Sequence, residues 1–129
     1  MATVRKEAHI ARSPDDIWAA FRDVGAIHTR LARGFVTDTK LEDGARVVTF
    51  ANGFVARELL VTIDDAARRL AYAVVGSPNL THHSASFQVL AEGEGSRVIW
   101  LADMLPDAAA DTVGPMMEHG MEAMQATLS

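Results

Sequence analysis

No cysteine occurs in the chain, which excludes a disulfide framework, a thiolate nucleophile and a cysteine-ligated metal. Positive charge is scarce: 12 Lys and Arg stand against 17 Asp and Glu, for a formal charge of -5. Phosphate backbones and anionic lipid surfaces are bound by clustered Lys and Arg, so neither is an expected partner. Long apolar runs are also missing. The longest, residues 70–75, falls far short of the roughly 20 residues that cross a bilayer. The opening MATVRKEAHI lacks the apolar segment of a secretory signal. The expected setting is therefore the cytoplasm, without membrane insertion. Aromatic residues are few as well, with only eight Phe, Trp and Tyr in the whole chain, and this bears on how an interior is filled.

What is present suits a single globular domain spanning 1–129. At 129 residues, 49% hydrophobic and 22% charged, the chain has the size and composition for a core of its own. Its organising stretch is residues 107–129, which reads as one long helix. Val113, Met117, Met121, Met124 and Leu128 recur at steps of four and three and share one face. Four of the six methionines lie here, with Gly120 among them. Gly114-Pro115 inside the pattern predicts a bend or restart, because proline removes one main-chain hydrogen bond.

Upstream, residues 4–11 read as a first strand. Ser13 then has the place of an N-cap, Pro14 of the first helical position, and Asp15 and Asp16 of an acidic first turn. Ile17, Trp18, Ala20 and Phe21 form the inward face of this helix. A second short helix is predicted through Ala26, Ile27 and Leu31, ending at Gly34. Six strands follow, at 35–41, 46–51, 54–63, 70–76, 81–91 and 96–105, separated by turn signals of which Asn52-Gly53 is the strongest.

Geometry then predicts a hollow. Seven strands about 4.8 Å apart make a sheet roughly 30 Å wide. A helix with its side chains is only about 10–12 Å across, and the final one is about 33 Å long. The sheet must curl around it, and eight aromatic residues leave the trough underfilled. Strand alternation assigns the inward positions. His83, Ala85, Phe87 and Val89 share one face of 81–91, with His82 on the other. Val98, Trp100, Ala102 and Met104 match them on the last strand, as do Leu70, Tyr72 and Val74 on 70–76. On 54–63 the inward set is Val55, Arg57, Leu59, Val61 and Ile63, with Glu58 outside; a bulge would swap Arg57 and Glu58.

The order of strand, two short helices, six strands and long C-terminal helix resembles the helix-grip fold of the START-like, polyketide cyclase/dehydrase and lipid-transport (SRPBCC) superfamily. Local wording adds to the likeness: Asp23-Val24-Gly25-Ala26, Gly34-Phe35-Val36, Arg57-Glu58-Leu59, Asp64-Asp65-Ala66, residues 81–86 and Trp100-Leu101-Ala102-Asp103 are similar to its small, mostly uncharacterised bacterial branch. The resemblance implies an α+β fold, a seven-stranded curved antiparallel sheet gripping the last helix. It also implies a cavity that hosts binding, transport or chemistry in different members.

Within that frame the candidate residues each carry two readings. His83 could act as general acid or base, or only hydrogen-bond a ligand or the backbone. Arg57, if inward, would anchor a carboxylate, phenolate or enolate oxygen; if outward, it pairs with an acid. Tyr72 could donate to a ligand carbonyl or sit in the core with its hydroxyl at the rim. Leu59, Phe87, Trp100, Met117, Met121 and Met124 complete the expected ligand contacts, the methionines being suited to moulding around apolar surfaces. His119 reads as an exposed helix histidine or part of the cavity mouth. No two histidines have metal-ligand spacing on one helix, and Gly93-Glu94-Gly95 lies between strands, so neither a metal nor another cofactor is expected. The composite expectation is a monomer or homodimer that binds a small hydrophobic or aromatic molecule. The alternatives are a cyclase/dehydratase using His83 as acid/base with Arg57 or Tyr72 steadying an oxyanion, and a protein-interaction domain with a filled interior and an exposed apolar patch.

Overall fold

The computed structural model describes residues 2–129. Seven strands run as β1 (Ala2–Ile10), β2 (Val36–Glu42), β3 (Ala45–Phe50), β4 (Val55–Asp64), β5 (Arg69–Val75), β6 (His82–Glu92) and β7 (Gly95–Leu105). They form one antiparallel sheet in the order β1-β7-β6-β5-β4-β3-β2. Helix α1 (Pro14–Arg22) and a π-helical turn (Ile27–Leu31) lie between β1 and β2, and helix α2 (Ala110–Leu128) closes the chain. This is the curved, helix-grip arrangement that the sequence predicts.

Helix α1 starts where its local chemistry says. Ser13 Oγ accepts a hydrogen bond from the Asp16 amide at 3.2 Å, Pro14 opens the helix, and both acids sit in the first turn. Ile17, Trp18, Ala20 and Phe21 are buried. The helix is pinned to the β4–β5 turn, where Asp65 accepts from Trp18 Nε1 at 2.8 Å and from Arg22 at 2.6 and 2.9 Å.

The last segment differs from expectation at its start. Residues 107–109 form a 3₁₀ turn after extended Pro106, with the Ala109 amide bonded to the Pro106 carbonyl at 3.0 Å, and the α-helix begins only at Ala110. No restart occurs at Pro115. It stands in the second turn of α2, where one bond is lost and the flanking turns stay helical. Met117, Met121, Met124 and Leu128 are buried, with Val113 half-buried on the same face. Gly120 sets how close the helix comes to the sheet. A Cβ built there would stand 2.9 Å from Trp100 Cζ3 and 3.1 Å from Phe35 Cε2. The second predicted helix is a five-residue π turn that buries Ile27 and Leu31.

The inward set on β4 is corrected. A two-residue turn at Asn52-Gly53 would set Arg46 opposite Leu59. The actual loop has three residues, 51–53, with the Gly53 amide bonded to Phe50 O and the Phe50 amide to Phe54 O. Gly53 has φ +87, the left-handed residue that this loop length uses. Register moves by one, and Arg46 faces Glu58 while Val48 faces Ala56. A bulge between Leu60 and Thr62 shifts the pleat again, so Ile63 pairs with inward Leu70. Ala56 and Glu58 therefore point in, whereas Val55, Arg57, Leu59 and Val61 are exposed, and Ile63 at the strand end is exposed as well. The β5, β6 and β7 sets have the predicted phase: Leu70, Tyr72, His83, Ala85, Phe87, Val89, Val98, Trp100, Ala102 and Met104 are all buried.

Filling the gap at Gly120 tests the helix approach. Gly120→Val should lower stability by roughly 1–3 kcal/mol, through overpacking against Trp100 and Phe35. The check is a lower urea midpoint at unchanged denaturant slope.

Candidate functional site

Between the sheet and α2 lies a cavity of about 270 Å³. That is just under the roughly 300–1,000 Å³ typical of small-molecule sites. Its floor is built by β5, β6 and β7, which contribute Tyr72, Val74, His83, Phe87 and Trp100. Helix α2 supplies Val113, Met116, Met117 and Met124 as the roof, and Ile27 and Leu31 of the π turn close one side. Hairpin β3–β4 supplies Arg46, Val48, Ala56 and Glu58. The exposed residues Asn52, Phe54 and Asn79 mark the open side.

Aromatic rings organise the floor. Phe87 stacks on Trp100 at 4.7 Å between centroids and on Tyr72 at 6.0 Å, while Phe21 of α1 leans on its other side at 4.8 Å. Such pairs contribute about 0.5–1.5 kcal/mol beyond the area they bury. Trp100 Nε1 donates to Tyr72 Oη at 3.1 Å. The Tyr72 oxygen is thus used as an acceptor, and its own proton finds no acceptor among the described residues. Burial first, then the charge of Glu58, pushes the Tyr72 hydroxyl pKa well above its ordinary value, so it stays protonated.

His83 is oriented by the backbone. The Val74 amide donates to its Nδ1 at 3.1 Å, across the β5–β6 seam. An acceptor Nδ1 carries no proton, so the neutral ring holds its proton on Nε2. Among the described residues no buried side-chain nitrogen or oxygen lacks a partner. Nε2 has none, so it keeps an accessible edge in a residue that is otherwise buried and lines the cavity. Burial, with a smaller contribution from His82, lowers the His83 pKa. The Tyr72 and His83 rings lie 5.8 Å apart.

Arg46 and Glu58 are the site residues that strand alternation missed. Their side chains are only 4% and 8% exposed, and Arg46 Nε donates to Glu58 Oε1 at 2.8 Å. The guanidinium also reaches the Val24 carbonyl at 3.5 Å and lies 5.5 Å from the Tyr72 ring centroid. Burial raises the Glu58 carboxyl pKa against the opposing pull of Arg46. The available signal was the pairing itself: with a three-residue hairpin loop, opposite charges fall directly across from each other, and isolated charges on two apolar strands become partners.

The other expected site residues divide. Phe87, Trp100, Met117 and Met124 line the cavity with Tyr72 and His83, whereas Met121 is buried in the core beside it. Arg57 is on the outer face, paired with Glu42 at 3.2 Å, and Leu59 is outside with it, both for the register reason above. His119 is exposed. Among the described residues no group of three or more His, Asp or Glu could hold a metal ion, and no helix is long and apolar enough to cross a membrane.

Two measurements follow. Arg46→Met should cost about 3–5 kcal/mol by stranding a buried carboxylate, and adding Glu58→Leu should recover most of that loss; a double-mutant cycle of urea melts reads both. His83 binds protons less readily folded than unfolded, so the unfolded state takes up more protons as pH falls below about 6.5. Its share of stability is present above that value and is lost as pH drops through the lowered folded pKa. Stability should therefore fall less between about pH 7 and pH 5 in His83→Gln than in the parent chain, on paired denaturation curves.

Among curated proteins none matches this chain. Solved structures do. A protein from Bacillus thuringiensis is 21% identical with a TM-score of 0.85, covering 99% of this chain and 100% of that one. A START superfamily protein from Mycobacterium smegmatis is 13% identical with a TM-score of 0.78, covering 98% and 97%. A Thalictrum norcoclaurine synthase point mutant, in complex with a transition-state analogue, is 19% identical with a TM-score of 0.68, covering 98% and 93%. At these identities the likeness is one of fold. The family model for polyketide cyclase / dehydrase and lipid transport matches residues 1–129, and the chain belongs to that family.

Proposed function

We propose that the protein binds a small hydrophobic or aromatic molecule in the cavity between the sheet and α2. The observation that carries this reading is an interior hollow of about 270 Å³ floored by stacked aromatic rings and roofed by methionines. Rigid rings below and flexible thioethers above suit an apolar guest: the floor gives shape, and the roof adapts. The working setting in this reading is the cytoplasm, as a monomer or homodimer with no cofactor.

The acid/base alternative has less support. A general base needs an accessible lone pair, and the His83 lone pair on Nδ1 is engaged by the Val74 amide. Arg57 points to the outer face, where it pairs with Glu42, and so does not steady an oxyanion inside. The interaction-domain alternative requires a filled interior, which the hollow argues against.

Titration with the neutral fluorophore N-phenyl-1-naphthylamine tests the proposal. The parent chain should bind it saturably. Val74→Trp, which projects an indole into the hollow, should weaken binding roughly tenfold or more. Equal binding by a folded Val74→Trp chain would place the probe on the outer surface and end the cavity reading. Native mass spectrometry of protein purified without denaturation should show an added species of defined mass.

A further inference from the structure

We infer that the cavity selects an uncharged ligand bearing an acceptor oxygen, of the ketone, ester or lactone kind, held by the Tyr72 hydroxyl and the Nε2–H of His83. This rests on the cavity-binding reading and narrows it. What Tyr72 and His83 can still offer a guest depends on the bonds they already make. Tyr72 Oη already accepts from Trp100 Nε1 at 3.1 Å, and what remains is its proton. His83 Nδ1 already accepts from the Val74 amide at 3.1 Å, and what remains is the proton on Nε2. Two donors without acceptors therefore stand on rings 5.8 Å apart on adjacent strands.

Neither donor is charged. The Tyr72 hydroxyl pKa is raised and the His83 pKa lowered, so both groups are neutral around neutral pH. The one cation in the wall, Arg46, is matched by Glu58 at 2.8 Å, both almost fully shielded from water. A carboxylate guest would meet no uncompensated positive charge and would stand near the Glu58 carboxylate, at a full desolvation cost. A hydrocarbon guest would leave two buried donors unmet, which also costs binding free energy. A carbonyl oxygen has two lone pairs, satisfies both donors and carries no net charge. Apart from Thr112 on α2, the remaining floor and roof lining is apolar, with Asn52, Ser77 and Asn79 completing the polar part of the wall, so the body of the ligand is a ring or short alkyl frame.

Three probes of similar shape separate the outcomes: the hydrocarbon 2-isopropenylnaphthalene, 2-acetonaphthone and 2-naphthoate, measured by displacement of the fluorophore. The expected result is that the ketone binds roughly tenfold tighter than the hydrocarbon, the gain of about one well-made hydrogen bond. The carboxylate should bind more weakly than the ketone by a similar factor or more. Tyr72→Phe should shrink the ketone-over-hydrocarbon preference by roughly fivefold to tenfold. If the fluorophore itself fails to bind, the cavity reading falls; if it binds and none of the three displaces it, the donor pair is overturned. If all bind and the hydrocarbon equals the ketone, or the carboxylate is tightest, the cavity reading stands and the donor pair is overturned. Should Tyr72→Phe fail to fold, the infrared carbonyl band of 2-acetonaphthone bound to the parent chain decides. A shift to lower frequency than in hydrocarbon solvent supports the donors, and an unshifted band overturns them.

Discussion

A guanidinium and a carboxylate 2.8 Å apart, both nearly excluded from water, constrain everything else in the cavity wall. Burying either charge alone would cost several kcal/mol, so the pair holds only while β3 and β4 keep the register that sets Arg46 across from Glu58. That register in turn depends on the three-residue loop with left-handed Gly53. A slip of one residue would present Leu59 to Arg46 and turn Arg57 toward the hollow. The ion pair thus makes the wrong pairing expensive. It also fixes the electrical character of the site, because the only cation among the lining residues comes with its own counter-ion.

The opposite wall is set by distance and not by charge. Gly120, midway along α2, allows the helix to rest on Trp100 and Phe35, and the π turn and hairpin β3–β4 line the gap beside it. A rod about 10–12 Å across cannot touch every strand of so wide a sheet. Four of the eight aromatic rings, Phe21, Tyr72, Phe87 and Trp100, form one connected stack under the cavity. What they do not reach is left open and bounded by Met116, Met117 and Met124. The hollow follows from where the few large side chains are spent.

Much of this was legible in the residues because it is encoded locally. The Ser13-Pro14-Asp15-Asp16 start of α1, the stripe on α2 and the alternation of β5, β6 and β7 each follow from neighbours within a few positions. That alternation places His83, Tyr72, Phe87 and Trp100 inward, and they are buried there. The phase of β4 was not legible. Counting back from Ile63 gives the wrong face for Arg57 because the Leu60–Thr62 bulge inserts an extra residue, and counting forward from Asn52-Gly53 fails because the loop has three residues. Both are backbone events without a strong side-chain signature. Arg46, flanked by Ala45 and Val47, offers no sign by itself that it is buried; only its partner across the hairpin does.

The direction of each hydrogen bond matters more to the chemistry than the residue types do. A histidine and a tyrosine side by side would suit proton transfer if a lone pair and a labile proton faced one another across a substrate. Here both lone pairs are turned to the protein, one to the Val74 amide and one to the Trp100 indole. Both protons are left over, on groups whose pKa values are displaced away from neutrality in opposite senses. Such a pair can give hydrogen bonds but has little capacity to exchange protons, and Tyr72 itself belongs to the stacked aromatic floor. In the reading proposed above, that combination orients a ligand oxygen and binds by geometry, where an acid/base site would act by titration.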